Sequence, residues 1–279
     1  MTSVIDRFRE VAEQLTPAEH QLIKQILASP RDVALGTASD LAQSIGVHEA
    51  TASRLAKKLG YPNYAGFRAA IQEDFIVRTD PAARVRNTLR QGTEAGLLSD
   101  LVRQEIEALA RIYQYVDDAA LLEAARALVG AQRVFIFARG NAQALAVLME
   151  RRLRRMGRAA VLLAGDGRDL AEQVLGLGGA DALLGFAFRR QPTHYAPLFE
   201  HARKAGAATL VVSGTVGPSL RPAADHLLFA PRAGSQDAFQ TLTVPMAICN
   251  ALVLAMAKVD PRVSLENLEK LGQLIEAFE

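Results

Sequence analysis

Apolar residues recur at intervals of three and four through the first quarter of the chain, as at Leu22, Ile23, Ile26 and Leu27, with no alternating stretch among them. That period keeps side chains on one face of an α-helix, so the segment from Val4 to Ile76 reads as all-helical. Thr16-Pro17-Ala18-Glu19 predicts a helix start, with threonine as N-cap, proline at the first helical position and glutamate as the reciprocal capping partner. Ser39-Asp40 predicts a shorter helix over Asp40 to Ser44 that stops at Gly46. Between Arg78 and Gly130, the basic residues Arg84, Arg86 and Arg90 precede an amphipathic pattern through Leu101, Ile106, Leu109, Ile112 and Val116. Its apolar stripe suits packing on the following domain or on a second subunit.

After Gly130 the texture changes. The runs RVFIFA, AAVLLA, DALLGFAF, ATLVVS and DHLLFA are short and apolar, and helical patterns separate them. Strands alternating with helices predict a parallel sheet with crossover connections. The helices are expected at about Ala142 to Met156, Asp169 to Leu175, Thr193 to Ala205 and Asp237 to Lys258, with a last one over Ser264 to Phe278. The expected class is therefore α/β, organised as a helical domain (1–77), a helical connector (78–120) and a domain with a five-stranded parallel sheet flanked by helices (121–279).

Composition narrows the options. A chain of 279 residues, 50% hydrophobic and 22% charged, can bury two cores. No apolar run approaches the roughly 20 residues that cross a bilayer. The opening MTSVIDRFREVAEQ carries acidic residues where a leader would be basic and then apolar, so a cytoplasmic location with no membrane partner is expected. The one cysteine, Cys249, lies within VPMAICNALVLAMA and reads as a small core residue, with no internal disulfide and no cysteine-based zinc site. His194 and His201 are seven apart with no carboxylate to complete a ligand set, and Gly176-Leu177-Gly178-Gly179 follows a helix and precedes a strand, the reverse of a dinucleotide loop. No metal, no cofactor and no catalytic residue is expected.

Two constellations carry chemistry. In SDLAQSIGVHEATASRLAKKLGY, a short helix, a turn at Ile45-Gly46-Val47 and a second helix opening near His48 follow one another. Leu41, Ile45, Val47, Ala52, Leu55 and Leu59 fall on one face and pin the pair together. Thr51, Arg54 and Lys58 follow at three and four along what spacing suggests is the opposite face, which could enter a major groove. Glu49, Ala50 and Arg54 are placed to meet bases, and Thr51, Ser53, Lys57 and Lys58 to meet the backbone, with His48 as an N-cap surrogate that also touches phosphate. The net charge of +2, with a slightly acidic first domain, makes any such contact depend on where these few cations point. The second constellation sits at strand ends, where helix N-termini favour anions. Arg139, Gly140, Asn141 and Gln143 follow the first strand, Arg189, Arg190 and Thr193 the third, and Ser213 and Thr215 the fourth. Arginine forks there suit a carboxylate or phosphate, and Thr193 is expected to cap the next helix.

These segments resemble the RpiR-type (MurR/RpiR) transcriptional regulators over essentially the whole chain, carried by LTPAEHQLIKQILASP, by ATASRLAKKLGY followed by Tyr64, Gly66 and Phe67, and by RVFIFARGNAQALA, KAGAATLVVSG and AADHLLFAP. The resemblance implies a helix-turn-helix domain on operator DNA, a SIS (sugar isomerase) domain sensing a carbohydrate derivative, and a homodimer or homotetramer. The chain departs from the sugar-phosphate pattern: Ala142 stands where a serine is usual, and Phe186 to Thr193 keeps only the threonine of a hydroxyl-rich loop. A small anionic effector held by arginine is the expectation. Two alternatives are a sugar-phosphate isomerase of the same fold, with Glu200, His194 and His201 in the right region for acid–base work, and an interaction module whose helical domain no longer binds DNA.

Overall fold

The computed structural model describes residues 4–28, 33, 36–79, 81–92, 96–232, 234 and 238–279. They fall into two compact units, Met1–Glu94 with Ser235–Phe239, and Ala95–Gly234 with Gln240–Glu279. The segment expected as a connector, 78–120, contributes one helix to each.

The first unit is helical: α1 (Val4–Glu10), α2 (Pro17–Ala28), α3 (Ala38–Ser44), α4 (Glu49–Lys58), α5 (Tyr64–Thr79) and α6 (Pro81–Gln91). Local chemistry sets the starts. At α2 the Glu19 carboxylate accepts from the Thr16 N–H (2.8 Å) while the Glu19 N–H donates back to the Thr16 hydroxyl (3.4 Å), the capping box read from sequence. For α3 the cap is Thr37 rather than Ser39, because Asp40 lies three residues after Thr37 and completes the reciprocal pair, so the helix opens two residues before the expected Asp40. Leu22, Leu41, Ala52, Leu55, Ala56, Leu59, Phe67 and Ile71 form one buried core, with Ile45 and Val47 packed against it.

The second unit holds α7 (Leu97–Ala110), α8 (Asp118–Gly130), β1 (Arg133–Phe137), α9 (Gln143–Arg155), β2 (Ala159–Leu163), α10 (Gly167–Gln173), β3 (Ala182–Ala187), α11 (Tyr195–Lys204), β4 (Ala208–Ser213), β5 (His226–Phe229), α12 (Thr243–Val259) and α13 (Pro261–Phe278). The five strands are the five predicted, all parallel, in the order β2-β1-β3-β4-β5. α12, expected from Asp237, which lies outside the described residues, opens only at Thr243, and 238–242 before it are not helical.

Strand periodicity divides the core into two layers. Val134, Ile136, Leu184, Phe186, Leu210 and Val212 face one way, against Leu128, Leu145, Met149, Leu153, Ile248, Leu252 and Met256 of α8, α9 and α12. Phe135, Phe137, Leu183 and Val211 face the other, against Leu170 of α10, Val174 just past its end, and Tyr195, Leu198 and Phe199 of α11. β3, central and covered on both faces, is buried throughout. Gly185 is what lets α11 lie so close: a Cβ there would sit 2.6 Å from the Phe199 ring. Tyr195 stacks on Phe199 at 4.0 Å and donates its hydroxyl to the Pro222 carbonyl at 3.1 Å, and burial pushes its pKa up to about 12. Among the described residues, no single helix is long and apolar enough to cross a membrane.

Candidate nucleic-acid interface and ligand site

Helices α3 and α4 meet across a four-residue turn, 45–48, in which Gly46 takes φ +70°, a left-handed geometry that strains a residue with a Cβ. The His48 ring nitrogen Nδ1 accepts from the Ala50 N–H at 3.2 Å, so this histidine caps α4 as its sequence position suggested. The exposed side chains of α4 are Glu49, Ala50, Arg54 and Lys57, with Ser53 half-buried beside them. Glu49, Ser53 and Lys57 follow at four-residue steps and Ala50 and Arg54 at another, so they make one outward stripe.

That stripe is rotated from the one expected. Thr51 is 8% exposed and its hydroxyl accepts from Arg54 at 3.4 Å. Lys58 reaches back into the domain, its ammonium 2.7 Å from Glu19 Oε2 and 2.9 Å from the Gln14 carbonyl. The reason is angular: at roughly 100° per residue Thr51 lies only about 40° round the helix from Leu55, the centre of the buried face. Thr51 and Lys58 therefore border the core, and only Arg54 of the expected trio projects outward.

In the sheet domain the strand order reverses between β1 and β3, with β2 on one side of β1 and β3 on the other, and the C-terminal edge between the loops that follow β1 and β3 is where this topology puts a ligand crevice. Arg139 lies on one lip, half-buried, over the Phe137 ring at 5.2 Å and donating to the Gly165 carbonyl at 2.6 Å. Gly140 takes φ +60°, which turns the chain sharply into α9, and Asn141 and Gln143 are exposed beside it. On the other lip Arg189 is half-buried, while Arg190 and Thr193 are exposed. Thr215, after β4, is exposed as well.

Two expectations fail here on geometry. Ser213 is wholly buried, and its hydroxyl donates to the Ala187 carbonyl at 2.7 Å, which ties β4 to β3 instead of facing a ligand. Thr193 does not cap α11; the cap position belongs to His194, in the left-handed region at φ 69° with no side-chain cap bond, because the chain needs one more residue to turn into the helix. The sequence reading also missed the loop after β2. Arg139 binds its Gly165, and a Cβ on Gly167 would sit 3.2 Å from the His194 ring, so the loops after β1, β2 and β3 converge. The signal was there: Asp166 and Asp169 form a capping box that fixes the start of α10 beside that edge.

A separate open cavity of about 350 Å³ lies at the opposite ends of the strands, lined by Ala127, Gly179, Ala180, Asp181, Arg203 and Asp225 among others. Its most buried acid, Asp181, already accepts from Arg133 Nε (3.0 Å), Arg133 Nη2 (2.7 Å) and the Gly178 N–H (2.9 Å). Asp181 is thereby satisfied, and the arginines at the loops after β1 and β3 lie at the C-terminal edge.

The helix-turn-helix domain of the rpiR family matches residues 2–76, and the SIS domain matches residues 127–255. The chain belongs to the RpiR-type regulators. An uncharacterised HTH-type transcriptional regulator from Haemophilus influenzae is 22% identical over 81% of this chain and 79% of its own length. The Vibrio vulnificus NanR protein, solved as a complex with ManNAc-6P, superposes with a TM-score of 0.60 at 17% identity, covering 99% of each chain. The sugar isomerase domain of an RpiR transcription factor from Sphaerobacter thermophilus gives 0.57 at 22% identity over 63% of this chain and 98% of that one. As an RpiR-type protein the chain is a transcriptional regulator built from a helix-turn-helix and a SIS domain, and α3 and α4 are its helix-turn-helix pair. Of the acid–base candidates of the isomerase alternative, His194 lies in the loop after β3 and the other two do not. Glu200 and His201 stand more than a turn along α11 from the strand-end loops, and His201 Nε2 bonds the Val174 carbonyl at 3.1 Å.

Proposed function

We propose that this regulator reads double-stranded operator DNA through the outward face of α4 and that a small anionic metabolite at the β1/β3 crevice modulates that binding. The observation that carries the first half is the outward stripe of Ala50, Ser53, Arg54 and Lys57, which stands clear of the core built on Ala52, Leu55 and Ala56. Arg54 is the residue for a bidentate contact to guanine, Lys57 and Ser53 for phosphate, and Glu49 for accepting from a cytosine amino group. The second half is supported by Arg139 and Arg190 flanking the crevice, with Asn141, Gln143 and Thr193 beside them, and by the sugar phosphate carried by the Vibrio vulnificus relative. Ala142 and the non-hydroxylic 186–192 segment favour recognition of the anion by guanidinium over a cradle of hydroxyls. Operator half-sites related by two-fold symmetry call for a homodimer or a higher homo-oligomer.

The test is fluorescence anisotropy with the duplex upstream of its own coding region. Arg54→Ala should weaken binding by about 1–3 kcal/mol, roughly 5- to 150-fold, and binding should weaken steeply with salt. Undiminished binding by Arg54→Ala would remove α4 as the reading element. For the crevice, calorimetric titration of sugar phosphates and organic acids into wild type, Arg139→Ala and Arg190→Ala decides: equal affinity in all three would exclude the arginine clamp.

A further inference from the structure

Lys58 is the side chain of α4 that its position near a duplex would most readily assign to phosphate, yet it is spent inside the protein. Its ammonium bonds Glu19 Oε2 at 2.7 Å and the Gln14 carbonyl at 2.9 Å. Glu19 is 5% exposed, and the same oxygen also accepts from the Thr16 N–H at 2.8 Å and the Thr16 hydroxyl at 3.0 Å. One buried carboxylate thus joins the first turn of α2 to the last turn of α4. We infer that Glu19 and Lys58 are the positioning pair of the reading helix, fixing its rotation about its own axis, and that Lys58 makes no phosphate contact. The inference rests on the reading above that α4 meets DNA.

The physical need is plain from what else holds α4. Its core contacts are Ala52, Leu55, Ala56 and Leu59, apolar and in two cases as small as a methyl group. Such contacts are non-directional and tolerate a helix that rolls. A roll of about 20° at a side-chain radius of about 8 Å carries a guanidinium by roughly 3 Å, the full length of a hydrogen bond. A charge-assisted bond anchored on a buried carboxylate is directional and sets the roll. At the opposite end of α4 the His48 ring accepts from the Ala50 N–H at 3.2 Å, a bond within the first turn that ties the helix to no other element. At the C-terminal end a second cation assists: Arg7 Nη1 donates to the Leu59 carbonyl at 2.8 Å and lies over the Tyr61 ring.

The experiment measures affinity of the full-length protein for its upstream duplex and for an unrelated duplex across a salt series, with circular dichroism to confirm that each variant is folded at the assay temperature. Lys58→Gln and Glu19→Gln should each lower affinity for the upstream duplex by about tenfold or more, leave the unrelated duplex unaffected, and keep the wild-type salt slope. Lys57→Ala should instead reduce the slope by about one unit and weaken both duplexes alike. Lys58→Arg, which keeps the cation within reach of Glu19, should restore discrimination and provides the measurement if a glutamine variant fails to fold. A Lys58→Gln slope reduced like that of Lys57→Ala, with Glu19→Gln behaving as wild type, would make Lys58 a phosphate contact and overturn the inference. Discrimination unchanged in both glutamine variants would overturn it too. A wild-type protein that binds neither duplex would refute the DNA reading itself, and the positioning role with it.

Discussion

Gly214 follows β4 directly and backs the loop that carries Arg189 and Arg190, so a single methyl there probes how that loop is held. A Cβ at this position would sit 2.6 Å from the Phe188 carbonyl oxygen, 3.2 Å from its carbon and 3.3 Å from its Cα. The obstacle is backbone, which cannot swing aside as a side-chain tip would. Gly214 also donates its N–H to the Ala187 carbonyl at 3.0 Å, which prevents a simple retreat. Gly214→Ala must therefore push the loop off β3 or shift β4, an overpacking cost of about 1–3 kcal/mol. For a unit of this size that lowers the melting midpoint by roughly 2–12 °C. Scanning calorimetry reads it, with Gly272→Ala as the control of opposite sign. Gly272 is inside α13, has nothing within 4 Å of an added Cβ, and should gain up to about 1 kcal/mol from the better helix former. A Gly214→Ala protein melting at or above wild type would show that the loop yields freely and that the crevice is not braced at this point.

Two further outcomes follow from buried groups. The Asp181 carboxyl is held below its ordinary value of 3.8, first by the hydrogen bonds from Arg133 and then by the Gly178 N–H, against the opposing effect of burial. The stability it contributes is complete above about pH 4 and is lost as pH falls through the depressed value, so Asp181→Asn should cost about 1–3 kcal/mol at neutral pH and flatten the acid limb of the melting curve. Parallel pH profiles for variant and wild type would contradict this. Leu55, wholly buried at the centre of the helix-turn-helix core, should cost about 2–5 kcal/mol when cut to alanine, with loss of operator binding at temperatures above its lowered midpoint. A change below 1 kcal/mol by chemical denaturation would mean that the site collapses without penalty, contrary to the packing seen.

The sequence by itself determined which segments are helix and which are strand, since residue periodicity follows from whether backbone hydrogen bonds are satisfied within a segment or between segments. All five strands, the α2 capping box, the His48 cap and the identity of the core side chains of α3 and α4 could be read that way. The spacing of Thr51, Arg54 and Lys58 alone leaves the outward rim of α4 open; the angle from Leu55 sets Thr51 beside the core, and the tertiary structure supplied the partner that captured Lys58, Glu19 from a helix 39 residues earlier. The same holds at the sheet. A hydroxyl at Ser213 looks the same in sequence whether it meets a ligand or the Ala187 carbonyl, and the approach of Arg139 to Gly165 and of Gly167 to His194 depends on strand order. Local pattern is fixed by bonds between near neighbours, whereas the availability of a polar group for function is fixed by whatever distant chain has already used it.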